Sequence, residues 1–512
     1  EASYAQQRIY IDQIIRFSEE ISVYNIPLVY RVKSSSDTNP ISINHLKQVF
    51  DILINKHSIL RTSYHFDRNN GILMQNIEEF SSKKHYEFQI SYIENSEEMK
   101  NIFNNEITNS NLFDLNQGIV FRCHFIINSN KNLRKNQEIN LELNDILIFN
   151  FHHIAFDGAS RRVFFSDFEQ ILKTNKLITN NKFQYIDYSI YEKQLDMKLS
   201  EQFWQSHLEE CNIQRPLLLP YDRHNSLNKQ HTGYAHLIEI PFNRNLIDSF
   251  INYSSKYDIT LYQLSLSIFY LFLFQLCNHQ NDICISCIYA NRYIKILQDL
   301  IGMFVSTLPH RTKIDSLDSF DLFVKQVQNE CFQIIEHTYF PLQNLINYFN
   351  SNQTSSIIPF LNILFDFITY STDNDLQSIN DTHFESISLT KFENIVKFHL
   401  KSVFFFDSTS PNPTMSCSFI CSKDLFDLAT IEDISQQFQD LLSQLFNRTA
   451  NTNTTTISQL SRHSLKQSKE MHKLNFSRLS NIYNHGKNIS SRKLPNKFKQ
   501  KPRDYVKWKN EN

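Results

Sequence analysis

The sequence predicts a mixed α/β fold organised as two lobes. Segments with apolar residues at helical spacing alternate with short β-branched and aromatic runs that read as strands. The chain has 512 residues, more than one compact core usually organises, and two units of roughly 150–250 residues are the natural division. Apolar residues make up 41% and charged residues 20%, the balance of a soluble globular protein.

The elements follow in order. In SINHLKQVFDILINKH (42–57), Ile43, Leu46, Val49, Phe50 and Leu53 share one helical face behind Ser42 as N-cap. GIVFRCHFII (118–127) and DILIFNF (145–151) read as strands, separated by a polar surface excursion at 128–144. ITLYQLSLSIFYLFLFQLC (259–277) is long enough for a membrane span, but Thr260, Gln263, Ser265, Ser267 and Gln275 favour a helix buried in a large core. DICISCIYA (282–290), FLNILFDFI (360–368) and SVFFFDS (402–408) are further strands. SFDLFVKQVQNECFQII (319–335) is a second amphipathic helix, with Phe320, Phe323, Val324, Val327, Cys331 and Ile334 on its apolar face behind Ser319. Polar stretches at 350–356 and 447–456 read as a surface segment and a linker, and a break is expected near 175–185.

The net charge of −2 hides an asymmetry: residues 461–512 carry 14 basic and 3 acidic side chains. That tail reads as a solvated, poorly ordered segment, because its lone Trp508 is no stacking platform for bases. Neither a nucleic-acid nor a membrane partner is expected. The eight cysteines are dispersed and suggest no disulfide framework. Cys284 and Cys287 have C-x-x-C spacing on a strand with no second ligand pair nearby, so buried thiols are expected rather than zinc. The chain opens without an initiator Met, which suggests a fragment or processed product, and no signal peptide leads it, so the cytosol is the default location.

The chemistry concentrates in FNFHHIAFDGAS (149–160). His152 and His153 end a strand whose side chains alternate in direction, so one can face a cleft while the other packs inward. Asp157 and Gly158 follow at a turn, where glycine allows a tight backbone. An imidazole can exchange a proton near neutral pH. The metal-binding spacing H-E-x-x-H is absent, and a buried, hydrogen-bonded histidine is the plain alternative for either residue.

HHIAFDG resembles the H-H-x-x-x-D-G signature of condensation domains of nonribosomal peptide synthetases. Six further segments resemble the family's motifs in family order across about residues 1–450. They are SYAQQRIY (3–10), YNIP (24–27), NKHSILRTSY (55–64), LFDLNQGIVFR (112–122), YIDYSIYE (185–192) and IGMFVSTLPHR (301–311). Departures are Tyr10 and Tyr191 in place of Trp, Asn291 in place of Gly and Ser306 in place of Asn.

The resemblance implies two chloramphenicol-acetyltransferase-like lobes, at 1–178 and 179–448, in a V-shaped pseudo-dimer around a central tunnel. Residues 449–512 would be a linker or tail. It implies amide-bond formation between a donor acyl thioester and an acceptor amine. Both substrates ride on the 4'-phosphopantetheine arms of carrier proteins, with no cofactor bound directly. An adenylation domain would adjoin in the full-length protein, and a monomer is expected. By position His153 would be the principal catalytic residue, with His152 beside it and the Gly158 N–H helping to hold substrate. Asp157 would pair with an arginine, for which Arg292 in YANRY is the candidate and Arg61 in LRT the runner-up. Rival readings are a coenzyme A-dependent acyltransferase, an epimerisation domain, and an inactive remnant that only docks carriers.

Overall fold

The computed structural model describes residues 1–17, 21–35, 40–81, 85–128, 139–174, 176, 183–209, 217–223, 231–350, 362–370, 376–379, 381–389, 395–409, 411–446 and 456–460. Most of the expected break at 175–185, residues 129–138 of the polar excursion, the segment at 351–356, the linker at 447–455, Cys211 and the basic tail lie outside the described residues.

The first half runs α1 (Tyr4–Arg16), β1 (Asn25–Ser34), α2 (Ile43–Lys56), β2 (Thr62–Asp67), β3 (Ile72–Ile77), β4 (Glu87–Ile93), α3 (Ser96–Thr108), β5 (Phe121–Asn128), β6 (Ile146–His152) and α4 (Ser160–Thr174). Then come α5 (Tyr185–Gln194), α6 (Lys198–Leu208), β7 (Ala235–Pro241), α7 (Arg244–Tyr257), α8 (Leu261–Leu276), β8 (Asp282–Tyr289) and β9 (Ser306–Lys313). The chain finishes with α9 (Phe320–Ile335), α10 (Leu342–Asn350), β10 (Ile363–Tyr370), β11 (Ser378–Ile379), β12 (Thr382–Ile387), β13 (Leu400–Asp407), β14 (Thr414–Ser422) and α11 (Leu428–Phe446).

Local chemistry starts these helices where the sequence places them. The Ser42 side chain accepts from His45 N–H at the head of α2, and Ser319 accepts from Leu322 N–H at the head of α9. Thr260 and Gln263 form a reciprocal capping box at α8. That helix is apolar all round because it is walled in: every residue from Gln263 to Phe274 is buried. No single helix among the described residues is long and apolar enough to cross a membrane.

Among the described residues two six-stranded sheets form, ordered β11-β12-β1-β6-β5-β4 and β7-β14-β13-β10-β8-β9, with β2 and β3 as a separate hairpin. All seven residues of β6 are buried. Leu147, Phe149 and Phe151 join the main core of the first lobe, and Ile146 and Ile148 join a smaller cluster with Phe103 and Ile107 of α3. A strand covered on both faces reads as a near-continuous apolar run, which explains ILIFNF; its one polar residue, Asn150, donates to Glu106 O and Oε2, both at 2.8 Å. The second lobe closes around α8, α9 and α11.

The second half of the chain lends segments to the first lobe. β12, from the second half of the chain, pairs antiparallel with β1 from Val29↔Ile387 to Ser34↔His383 and lengthens the first sheet. The 297–304 segment and α5 also pack into the first core. The approach is close at Gly302, where a Cβ would sit 1.9 Å from the Tyr185 ring. Residues 456–460, which composition assigns to the tail, pack instead on the second lobe. Ile457 is fully buried, and its N–H donates to Asp318 O at 3.0 Å. Cys287 is buried on β8 while Cys284 keeps partial exposure, and both are free thiols.

Candidate active site

β6 carries the histidine pair to the edge of the first core. Its neighbours are β1, in the register Asn25↔His152, and β5, in the register Phe121↔Phe151. The ladder continues one step past the strand, where His153 N–H donates to Tyr24 O at 2.9 Å. The two imidazoles then part. His152 is 2% exposed and both of its ring nitrogens are engaged. Its Nδ1 accepts from Ile154 N–H at 3.2 Å, so the proton sits on Nε2, which donates to Gln13 Oε1 at 3.0 Å. Phe113 meets the same ring edge-on. His152 is a satisfied structural histidine that braces α1 against the strand end.

His153 sits deep among protein atoms yet keeps some accessible surface. Its Nδ1–H donates to Phe156 O at 2.9 Å, which fixes the tautomer and leaves the Nε2 lone pair open. Burial, and after it the Lys397 ammonium, pushes the His152 imidazole down to about 3. Burial first, then Lys397 and Arg8, holds His153 well below the usual histidine range. Both rings are therefore neutral at pH 7. Among the described residues neither ring nitrogen of His153 meets a carboxylate.

Asp157 is fully buried at its side chain and makes the tie across the site. Its Oδ1 accepts from Ser160 N–H at 2.9 Å, from Ser160 Oγ at 2.7 Å and from Arg292 Nη2 at 2.7 Å. Its Oδ2 accepts from Phe304 N–H at 3.1 Å. Arg292 also donates to Leu297 O and Leu300 O and lies over the Phe304 ring, 4.3 Å from its centroid. A carboxylate so saturated is a brace and not a base. Arg61 is elsewhere: its Nη1 donates to Glu78 O, and it makes no ion pair with Asp157.

Gly158 corrects one expectation. It does not adopt a positive φ, and a Cβ built on it meets nothing within 4 Å. The turn does not require glycine; the bare backbone faces open space instead.

Four participants escaped the sequence reading. Ser160 accepts from Arg292 Nη2 and Gly302 N–H, both at 3.0 Å, and so joins three segments. Its place three residues after Asp157, at the head of α4, is the capping signal that could have found it. Gln13 was inside reach of the N-terminal motif. Arg8 donates to Thr307 Oγ1 at 2.9 Å and to Val305 O at 3.0 Å, linking α1 to the start of β9. Lys397 sits 3.9 Å above the Tyr24 ring, from a stretch with no local signal. Among the described residues no group of three or more His, Cys, Asp or Glu side chains could hold a metal.

The fold matches solved condensation domains. The X-domain from teicoplanin biosynthesis superposes with a TM-score of 0.74 at 17% identity, over 90% of this chain and 96% of that one. The condensation domain from the Monacolin K polyketide synthase MokA gives 0.69 at 14% identity, over 89% and 98%. The architecture is thus the pair of chloramphenicol-acetyltransferase-like lobes of such domains, set in a V about a central tunnel. The Condensation domain family model matches residues 1–466, and the chain belongs to that family, the condensation domains of nonribosomal peptide synthetases. Bacitracin synthase 1 of Bacillus licheniformis is 26% identical over 366 residues, which cover 70% of this chain and 6% of that protein. The chain spans about a tenth or less of the length of such curated relatives.

Proposed function

We propose that the chain joins two carrier-bound substrates by an amide bond. The donor is an acyl or peptidyl thioester, and the acceptor is an aminoacyl thioester with a free amine. Each arrives on the phosphopantetheine arm of a carrier protein, so the arms belong to the substrates. In a full-length protein an adenylation domain would charge the carriers. One observation carries this reading: His153 is neutral, held in one tautomer, and presents an open Nε2 where the two lobes meet.

The amine nitrogen attacks the thioester carbonyl carbon, and the carbonyl oxygen takes the negative charge. Collapse breaks the C–S bond, and the departing sulfur takes up the proton that the amine sheds. One thioester and one amine become one amide and one thiol. A free α-amine has a pKa near ~7.7–8.0, so an appreciable share is already unprotonated at neutral pH. His153 Nε2 accepts an N–H hydrogen bond from that amine and turns its lone pair toward the carbonyl. Buried, and with cations on its flanks, the ring is a weak proton sink, so orientation is its principal task. The bare face of Gly158 gives the acyl chain room to lie against backbone.

The test is condensation with two separately loaded carrier proteins, read by mass spectrometry of the acceptor carrier. The dipeptidyl product is expected from the wild type and not from His153→Ala. Equal product from both overturns the role of His153; no product from either overturns the activity and leaves carrier docking.

A further inference from the structure

The histidine site is carried by the first lobe, yet one of its two nearby cations comes from the second. Lys397 stands in a short stretch before β13 that is tied down on both sides. Val396 N–H donates to Gly233 O and His399 N–H donates to Asn362 O, both at 2.8 Å. Gly233 is itself pressed against the first lobe. It adopts φ +84°, and a Cβ there would sit 3.1 Å from Val23 Cγ1. One residue on, Lys397 covers the face of the Tyr24 ring at 3.9 Å. Tyr24 in turn meets the His153 ring edge-on, with centroids 6.2 Å apart, and its carbonyl holds His153 N–H.

Resting on the amine-orienting reading of His153, we infer that Lys397 is a positioning residue for that ring, delivered across the lobe seam. Added to burial, its charge disfavours the imidazolium and keeps the Nε2 lone pair available to the acceptor amine. The charged and titratable groups around His153 support this. Arg8 faces it from α1 and Lys397 from the stretch before β13, and both are cationic. Tyr24 precedes β1, and its hydroxyl is taken by Asp12 of α1. His152 is neutral and bonded to Gln13. The Asp157 carboxylate is consumed by Ser160, Arg292 and Phe304. An imidazolium here would face two cations with no carboxylate bonded to either nitrogen, unlike a histidine in a hydrolase triad. Because Lys397 is seated by Gly233 and Val396, a change in how the lobes meet would move this charge and retune His153.

The test needs no substrate, so it stands apart from the activity assay. The full chain is treated with diethyl pyrocarbonate, which acylates neutral imidazole, from pH 4 to 8. Mass spectrometry then localises the product on His153. Circular dichroism at each pH defines the range in which each protein is folded. In Lys397→Met the labelling midpoint is expected to rise by about half a pH unit or more, so labelling slows roughly two-fold at the wild-type midpoint and about three-fold below it, and is unchanged at pH 8. Lys397→Arg is expected to match the wild type, and Lys397→Gln serves if the Met variant does not fold. Equal midpoints in wild type and the neutral variants overturn the inference. So do rates that stay flat to pH 4 in both, and so does a wild-type His153 that never labels, since its open Nε2 is part of the claim.

Discussion

Arg292 Nη2 lies 2.7 Å from Asp157 Oδ1, and this buried pair fastens the histidine turn to the 292–304 segment that returns from the second half of the chain. The geometry is that of a clamp. Arg292 spends Nη1 on Leu297 O and Leu300 O, and Asp157 spends its other oxygen on Phe304 N–H. Removing one member of a buried ion pair strands the other without solvent, at a cost of ~3–5 kcal/mol. Asp157→Ala and Arg292→Ala should each lower the melting temperature and the folded yield, and the double variant should lose less than the sum. Thermal unfolding of the three proteins checks this; an unchanged melt for Asp157→Ala would sink it.

His153→Ala should separate chemistry from stability. The ring makes one side-chain hydrogen bond, to Phe156 O, and part of it faces solvent. Truncation should therefore leave the melt within about 1 kcal/mol of the wild type. Amide formation should fall by roughly 10²-fold or more, the scale of losing the orientation of a reacting group. His152→Ala should show the reverse balance. That ring is enclosed and bonded at both nitrogens, so stability should fall and activity follow it.

What the sequence revealed was what neighbours in sequence decide. The caps Ser42 and Ser319 act within three residues of themselves, and the buried run of β6 records its two covered faces. The divergence of His152 and His153 follows from strand geometry. What stayed hidden depends on contacts between distant segments. Sequence put Arg292 ahead of Arg61 as the partner of Asp157 only by resemblance, and it is the fold that sends Arg292 to Asp157 and Arg61 to Glu78 O. β12 joins the first sheet although about 350 residues separate it from β1, and no local pattern encodes that exchange. Lys397 has no helical or strand period around it, and its meaning lies in Tyr24 beneath it.

Two glycines of the motifs should respond oppositely to alanine. At Gly302 an added Cβ collides with the Tyr185 ring at 1.9 Å, a ring packed against Phe304 and donating its hydroxyl to Met303 O. Overpacking of that kind costs ~1–3 kcal/mol, so Gly302→Ala should melt earlier. At Gly158 the Cβ enters open space, so Gly158→Ala should melt like the wild type, while the proposed path of the acyl chain over this face predicts slower condensation. Paired melts and carrier-loaded assays decide it; full activity in Gly158→Ala would show that this face of the turn is not used.

Glu192 makes stability fall as pH rises from acid to neutral. Burial raises its carboxyl from 4.5 to about 7, against the opposing help of Tyr4 N–H and Lys193. Below the unfolded value of 4.5 both states hold the proton and pH has no leverage here. Between 4.5 and about 7 the folded state holds more protons than the unfolded one, so stability falls as pH rises and levels off above the folded value. Glu330, also raised to about 7 by burial, adds to the same slope. Glu192→Gln keeps an acceptor for Tyr4 N–H, which lies 2.7 Å from Oε1, and removes the ionisation. Its melting temperature should match the wild type near pH 4.5 and exceed it by about 2 °C or more at pH 8. An equal offset at both pH values would mean that Glu192 titrates as an ordinary carboxylate, held charged by Lys193.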